Sequence, residues 1–215
     1  MKEVCCKETY YVDQKGSEAV KDFGRILYKL ILESPKNGAD LVFLCIGSDR
    51  VTGDSLGPLI GHKLSSHPHR GTWIYGTLEH PVHALNLEDT ANFISYAHPD
   101  AIIIAIDASL GTKKHQGFMT LGHGPLYPGA GVQKKLKAVG DIFITGIINV
   151  SGALDYLVLQ TTRLSTVMNM ADCITNGVLH ACKKYTANRT SASSSESEYT
   201  IVEKNPTYMI YSAES

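Results

Sequence analysis

Two aspartates and an asparagine stand at the points in this chain where an α/β protein does its chemistry. Asp54 lies in the glycine-rich stretch Gly47-Ser48-Asp49-Arg50-Val51-Thr52-Gly53-Asp54-Ser55-Leu56-Gly57-Pro58. Asp107 follows directly on AIIIAI, residues 101–106, and Asn149 ends DIFITGIIN, residues 141–149. Ligands of open α/β sheets bind beyond the carboxyl ends of strands, so three polar groups delivered there by separate strands form one expected constellation. Two carboxylates held a few ångströms apart cannot both ionise cheaply. One proton shared between them supplies a base and an acid together, as water attack on an amide requires. Asn149 is then available to orient carbonyl or water, Ser55 and Ser109 to donate hydrogen bonds to the ionised acid, and the loop around Gly53 to admit an extended peptide. The same Asp54, Asp107 and Asn149 also suit a divalent cation whose bound water is the nucleophile. A third reading uses the cleft, or the sheet edge, to bind a partner without catalysis.

Structural roles compete with each of these. Asp54 or Ser55 can cap the helix that contains Pro58, and an amide after a strand often bonds a turn, as Asn149 would. Asp107 is harder to explain that way, because an ion buried against six apolar residues without partner, proton or metal is costly. Arg50 either neutralises a carboxylate or is solvated. His80 and His83, around Pro81, are the near pair that suggests a metal. The glycine loop lacks both the Gly-Lys-Ser/Thr ending of a P-loop and the G-x-G-x-x-G of dinucleotide folds, and the chain has no G-x-S-x-G elbow. Cys5, Cys6, Cys45, Cys173 and Cys182 are five, an odd count without metal-type spacing, which fits a reducing compartment and offers no cysteine nucleophile.

The elements that must position these residues follow from periodicity. Val20, Phe23, Ile26, Leu27, Leu30 and Ile31 share one face of a helix over residues 17–33, and Pro35 helps stop it. LVFLCIG, residues 41–47, is continuously apolar, as a strand buried on both faces is. A helix begins near Pro58; residues 72–77 are a short strand, 86–97 a helix, and 101–106 a second wholly apolar strand. Strands over 117–122 and 141–149 flank a Gly/Pro-rich loop, and helices over 153–162 and 167–183 close the fold. Alternation of this kind predicts an α/β protein with a mostly parallel central sheet of about five strands and helices on both faces, a three-layer sandwich.

Length and charge limit the function classes. The chain has 215 residues, which suits one domain over residues 1–185, followed by a Ser/Thr-rich flexible tail over 186–215. A late edge strand at Tyr208-Met209-Ile210-Tyr211 is left open. Lys plus Arg number 20 against 21 Asp plus Glu, so no basic field favours nucleic acid or anionic lipid. No apolar run approaches the about 20 residues needed to span a bilayer. Residues 1–10 hold nothing resembling a signal-peptide core, so the expected location is cytoplasmic.

At Gly53-Asp54-Ser55-Leu56-Gly57-Pro58, followed by Ile106-Asp107-Ala108-Ser109-Leu110-Gly111, the chain resembles the spore protease YyaC family over roughly residues 38–185. It is also similar to the germination protease of spore formers and to hydrogenase maturation endopeptidases. That resemblance implies a phosphorylase/hydrolase-like fold and a peptidase acting in sporulation, in the forespore or spore core, with small acid-soluble spore proteins as candidate substrates. It implies that Asp54 and Asp107 do the chemistry. The endopeptidases bind a metal through an acidic pair and a histidine; the matching position here is Asn149, a weaker ligand than imidazole.

Overall fold

A computed structural model of the chain describes residues 8–36, 39–67, 70–129 and 136–193. Six strands form one sheet: β1 (Thr9–Asp13), β2 (Leu41–Cys45), β3 (Thr72–Tyr75), β4 (Ile102–Gly111), β5 (Phe118–His123) and β6 (Ile142–Val150), in the order β1-β5-β6-β4-β2-β3. Neighbours from β3 through β2 and β4 to β6 are parallel, whereas β5 runs antiparallel to both β6 and β1. The helices are α1 (Ala19–Leu32), α2 (Leu56–Ser65), α3 (Leu87–Ala97), α4 (Asp155–Thr161) and α5 (Leu164–Ser193). Among the described residues, no helix is long and apolar enough to cross a membrane.

The sheet separates two apolar clusters because successive side chains of a strand point to opposite faces. Leu41, Phe43 and Cys45 of β2 pack with Phe23 and Leu27 of α1, Leu56 and Ile60 of α2, and Val167, Met170 and Ile174 of α5. Val42 and Leu44, with Ile46 just beyond the strand, join Leu87 and Ile94 of α3 together with Leu126 and Val139. On β4, Ile102, Ile104, Ile106 and Ala108 belong to the first cluster and Ala105 to the second. By that alternation Asp107 lies on the α3 face.

The sheet departs from the expected one in three respects. It has six strands where about five are predicted, because β1 is an edge strand of which only Val12 is buried, too little to leave an apolar signature. The antiparallel β5 follows from its connection: among the described residues between β5 and β6 there is no helix to make the crossover that a parallel neighbour needs. The strand predicted over 101–106 runs on through Asp107 to Gly111, so the acid sits within β4 and not after it.

Helix α5 is also longer than the predicted 167–183, covering the first residues of the Ser/Thr-rich segment. Tyr185, buried, donates its hydroxyl to the Ala39 carbonyl at 2.8 Å, and Arg189 donates to the same carbonyl at 3.2 Å and to Asp40 Oδ1 at 3.1 Å. These bonds tie the extra turns to the start of β2. Residues 194–215, including the strand left open at 208–211, lie outside the described residues, as do Cys5 and Cys6.

Candidate functional site

Asp54 is placed by a sharp reversal at the carboxyl end of β2. Ile46 N–H bonds Ile106 O at 2.7 Å and Gly47 N–H bonds Val82 O at 2.8 Å, so the chain leaves the sheet still anchored on two sides. Gly47 has φ +143°, and a Cβ built on it would stand 2.0 Å from the Asp54 carbonyl oxygen. The loop then folds back through Ser48 N–H to Asp54 O at 3.1 Å, and residues Thr52–Ser55 form one 3-10 turn before α2. Gly57 lets the first turn of α2 lie on the end of β2, where a Cβ would stand 2.0 Å from Ile46 O.

The helix-cap explanation of Asp54 and Ser55 does not hold: neither the 3-10 turn nor α2 has a side-chain cap hydrogen bond. Ser55 is buried and donates to the Thr52 carbonyl at 2.7 Å, closing the turn.

Asp54 and Asp107 line a common cleft of about 500 Å³ at the carboxyl end of β2, beside the middle of β4. Asp107 is 7% exposed, and its Oδ1 accepts the Ala108 N–H at 2.7 Å. Burial, then the neighbouring Asp54 charge, push its carboxyl well above the ordinary range, against the opposing pull of the Ala108 bond. Burial lifts Asp54 to about 6, opposed by a backbone hydrogen bond from Ser48. The two acids therefore sense one another, and neither forms an ion pair among the described residues. This arrangement favours ionisation of Asp54 before Asp107.

The remaining predicted site residues are engaged elsewhere. Asn149 is not among the residues lining the cleft. Its Nδ2 donates to Thr162 Oγ1 at 3.1 Å, and its Oδ1 accepts from Val150 N–H at 2.8 Å and from Gln116 Nε2 at 3.4 Å, which binds the end of β6 to the turn after α4. Ser109 faces β6, donating to Thr145 Oγ1 at 3.3 Å and Gly146 O at 3.4 Å. Gly53 makes room for α4: a Cβ there would stand 2.8 Å from both Cα and O of Leu159. It shapes the turn that carries Asp54.

A resident metal does not fit these donors. The Asn149 amide is committed to strand and turn, which leaves two carboxylates, and among the described residues no group of three or more His, Cys, Asp or Glu side chains is arranged to hold an ion. His83 enters the site in another capacity. It lines the cleft, and its Nδ1 accepts the Leu85 N–H at 3.3 Å, so a neutral ring carries its proton on Nε2. Sequence reasoning found His83 only as half of a metal pair with His80, and it missed Leu85 and Tyr156, which line the cleft too. Exposed apolar residues in loops and on short helices leave no periodic signal.

A mixed α/β fold with two aspartates in one cleft, neither ion-paired among the described residues, defines the class of this protein. The chain belongs to the family described as "Protein of unknown function (DUF1256)", which matches residues 10–177. It is 48% identical over 168 residues to "Uncharacterized protein YyaC" of Bacillus subtilis (strain 168), a match covering 78% of this chain and 81% of that relative. The YyaC family resemblance read from the two aspartate motifs is thereby borne out.

Proposed function

We propose that this protein is a peptidase of the paired-carboxylate kind, built on a three-layered, phosphorylase/hydrolase-like α/β core. The observation that carries the reading is the buried Asp107 lining the same cleft as Asp54, with each lifted above the usual carboxylate range and neither ion-paired among the described residues. Holding two acids this way costs stability, and a charge arrangement that opposes folding is a mark of a functional site.

In the proposed reaction, ionised Asp54 removes a proton from water as the oxygen adds to the scissile carbonyl carbon. Asp107 gives its proton to the carbonyl oxygen, forming a neutral tetrahedral adduct. When the adduct collapses, a hydroxyl proton returns to Asp107, the proton on Asp54 passes to the departing nitrogen, and the C–N bond breaks. A free carboxyl and a free amine are released, and both aspartates regain their starting states. His83, on the same cleft wall, is available as a donor to the carbonyl oxygen.

The resemblance to the germination protease makes small acid-soluble spore proteins the first substrates to try, in a sporulating cell. Incubation with these proteins, followed by mass spectrometry of the fragments, is expected to reveal cleavage that Asp54→Asn and Asp107→Asn each abolish. Cleavage that persists in both variants, or none by the unaltered protein on these or unfolded protein substrates, would overturn the proposal.

A further inference from the structure

The mouth of the cleft is unusually apolar for a surface that also holds two acids. Leu85, 83% exposed, lines it from the segment before α3, and Tyr156, 54% exposed, lines it from α4. Tyr127, 78% exposed, precedes Pro128, which lines the cleft from the segment after β5. Large side chains from two separate segments, Leu85 and Tyr156, thus meet water at one opening. Scattered exposed apolar residues need no explanation, but a group rimming a concave site marks a surface that is covered when a partner binds.

Position selects the occupant. Leu85 and Tyr156 line the cleft that also holds Asp54 and Asp107, so an extended segment covering them lies beside the two acids.

We infer that Leu85 and Tyr156 form an apolar clamp selecting an extended polypeptide segment with a large aliphatic or aromatic side chain beside the reacting bond. The inference rests on the proposed peptidase reading for which bond is cut, but not for what is bound. Helix α4 gives the clamp a direct connection to the chemistry, because its Leu159 backbone packs on Gly53, the residue before Asp54.

The test uses the full chain and fluorescein-labelled ten-residue peptides of Gly, Ser and Lys with a central Leu-Phe pair or a central Gly-Gly pair. Fluorescence anisotropy on Asp107→Asn measures binding without turnover, and mass spectrometry on the unaltered protein reads cleavage. The Leu-Phe peptide is expected to bind on the order of 10- to 100-fold more tightly than Gly-Gly. Tyr156→Ser and Leu85→Ser, at exposed positions, are expected each to shrink the Leu-Phe preference several-fold while circular dichroism stays unchanged. Equal binding of Leu-Phe and Gly-Gly, or an undiminished preference in both Ser variants, overturns the clamp. Selective binding without cleavage of any peptide leaves the clamp standing and counts against the peptidase reading. Cleavage without apolar preference does the reverse.

Discussion

The two ends of the central sheet treat their aspartates in opposite ways. At the amino ends of the strands, Asp141 Oδ2 meets Lys36 Nζ at 3.1 Å and accepts the Ile103 N–H at 2.9 Å, while Asp40 Oδ1 takes Arg189 Nη1 at 3.1 Å. Lys36 also reaches the Ala101 carbonyl at 3.0 Å. Each of these acids has a cation, and the cation in turn satisfies a backbone oxygen, so the group acts as a fastening between elements. Toward the carboxyl end of β2, Asp54 and Asp107 share a cleft and have no ion pair among the described residues. The residue type is the same, yet one end adds stability and the other gives it up. The contrast separates acids that hold the fold from acids left available for the proposed chemistry.

The sharpest way to break this comparison is to remove the carboxylates at the working end. Asp54→Asn and Asp107→Asn are each expected to slow turnover of a cleavable peptide by about 10²- to 10⁴-fold, the range for loss of a general acid or base. Next in size, Gly57→Ala should cost about 3 kcal/mol in denaturant unfolding, because the added methyl meets the Ile46 backbone and not a yielding side chain. Were Gly57→Ala neutral, the close seating of α2 on β2 that positions Asp54 would be wrong.

The third prediction concerns stability and its sign. Asp54 and Asp107 both hold a proton more tightly folded than unfolded, so their contribution is fully present below the ordinary carboxylate value of about 3.9 and is lost as pH rises through the folded values. For Asp54 that window runs from about 4 to about 6. At pH 7.5, Asp54→Asn is therefore expected to stabilise the protein by about 2 kcal/mol, which raises Tm by about 4–8 °C in a chain of this size. At pH 4 the gain should vanish. A variant less stable than the parent at pH 7.5 would place Asp54 among the fastening acids. Activity should follow the same ionisation, rising as pH passes through about 6 and falling again only where Asp107 loses its proton.

Smaller effects sharpen the contrast. Asn149→Ala should cost about 1 kcal/mol through its lost bonds to Thr162 and Val150, yet leave turnover within a few-fold of the parent. Lys36→Met at the amino end should cost about 0.5–1 kcal/mol and leave turnover unchanged. Should Asn149→Ala instead slow turnover by about two orders of magnitude, as loss of a catalytic group does, that amide would return to the site.

Much of this arrangement is legible in the chain, for identifiable reasons. Strands β2 and β4 are buried on both faces, so LVFLC and the AIIIAI run read as core strands, and an aspartate ending such a run stands out. The resemblance motif around Gly53-Asp54 marks a loop whose glycines are each required by a close backbone approach. What escaped was set by partners distant in sequence. Strand β1 is held by its pairing with β5, not by its own apolar pattern, and α5 continues past Lys183 because Tyr185 and Arg189 find Ala39 and Asp40. Asn149 follows β4 register and α4 contacts that no spacing rule supplies. His83 reached the cleft through a loop, where periodicity is silent.

The central claim is that Asp54 and Asp107 share one cleft and one proton. Carbon-13 NMR titration of aspartate-labelled protein, with Asp54→Asn and Asp107→Asn to assign the carboxyl signals, tests it most directly. Asp54 is expected to titrate at about 6 and Asp107 to stay protonated well above the ordinary aspartate range, with Asp54→Asn bringing the Asp107 midpoint down. Two ordinary titrations near about 4, with Asp107 unmoved by the loss of Asp54, would contradict it.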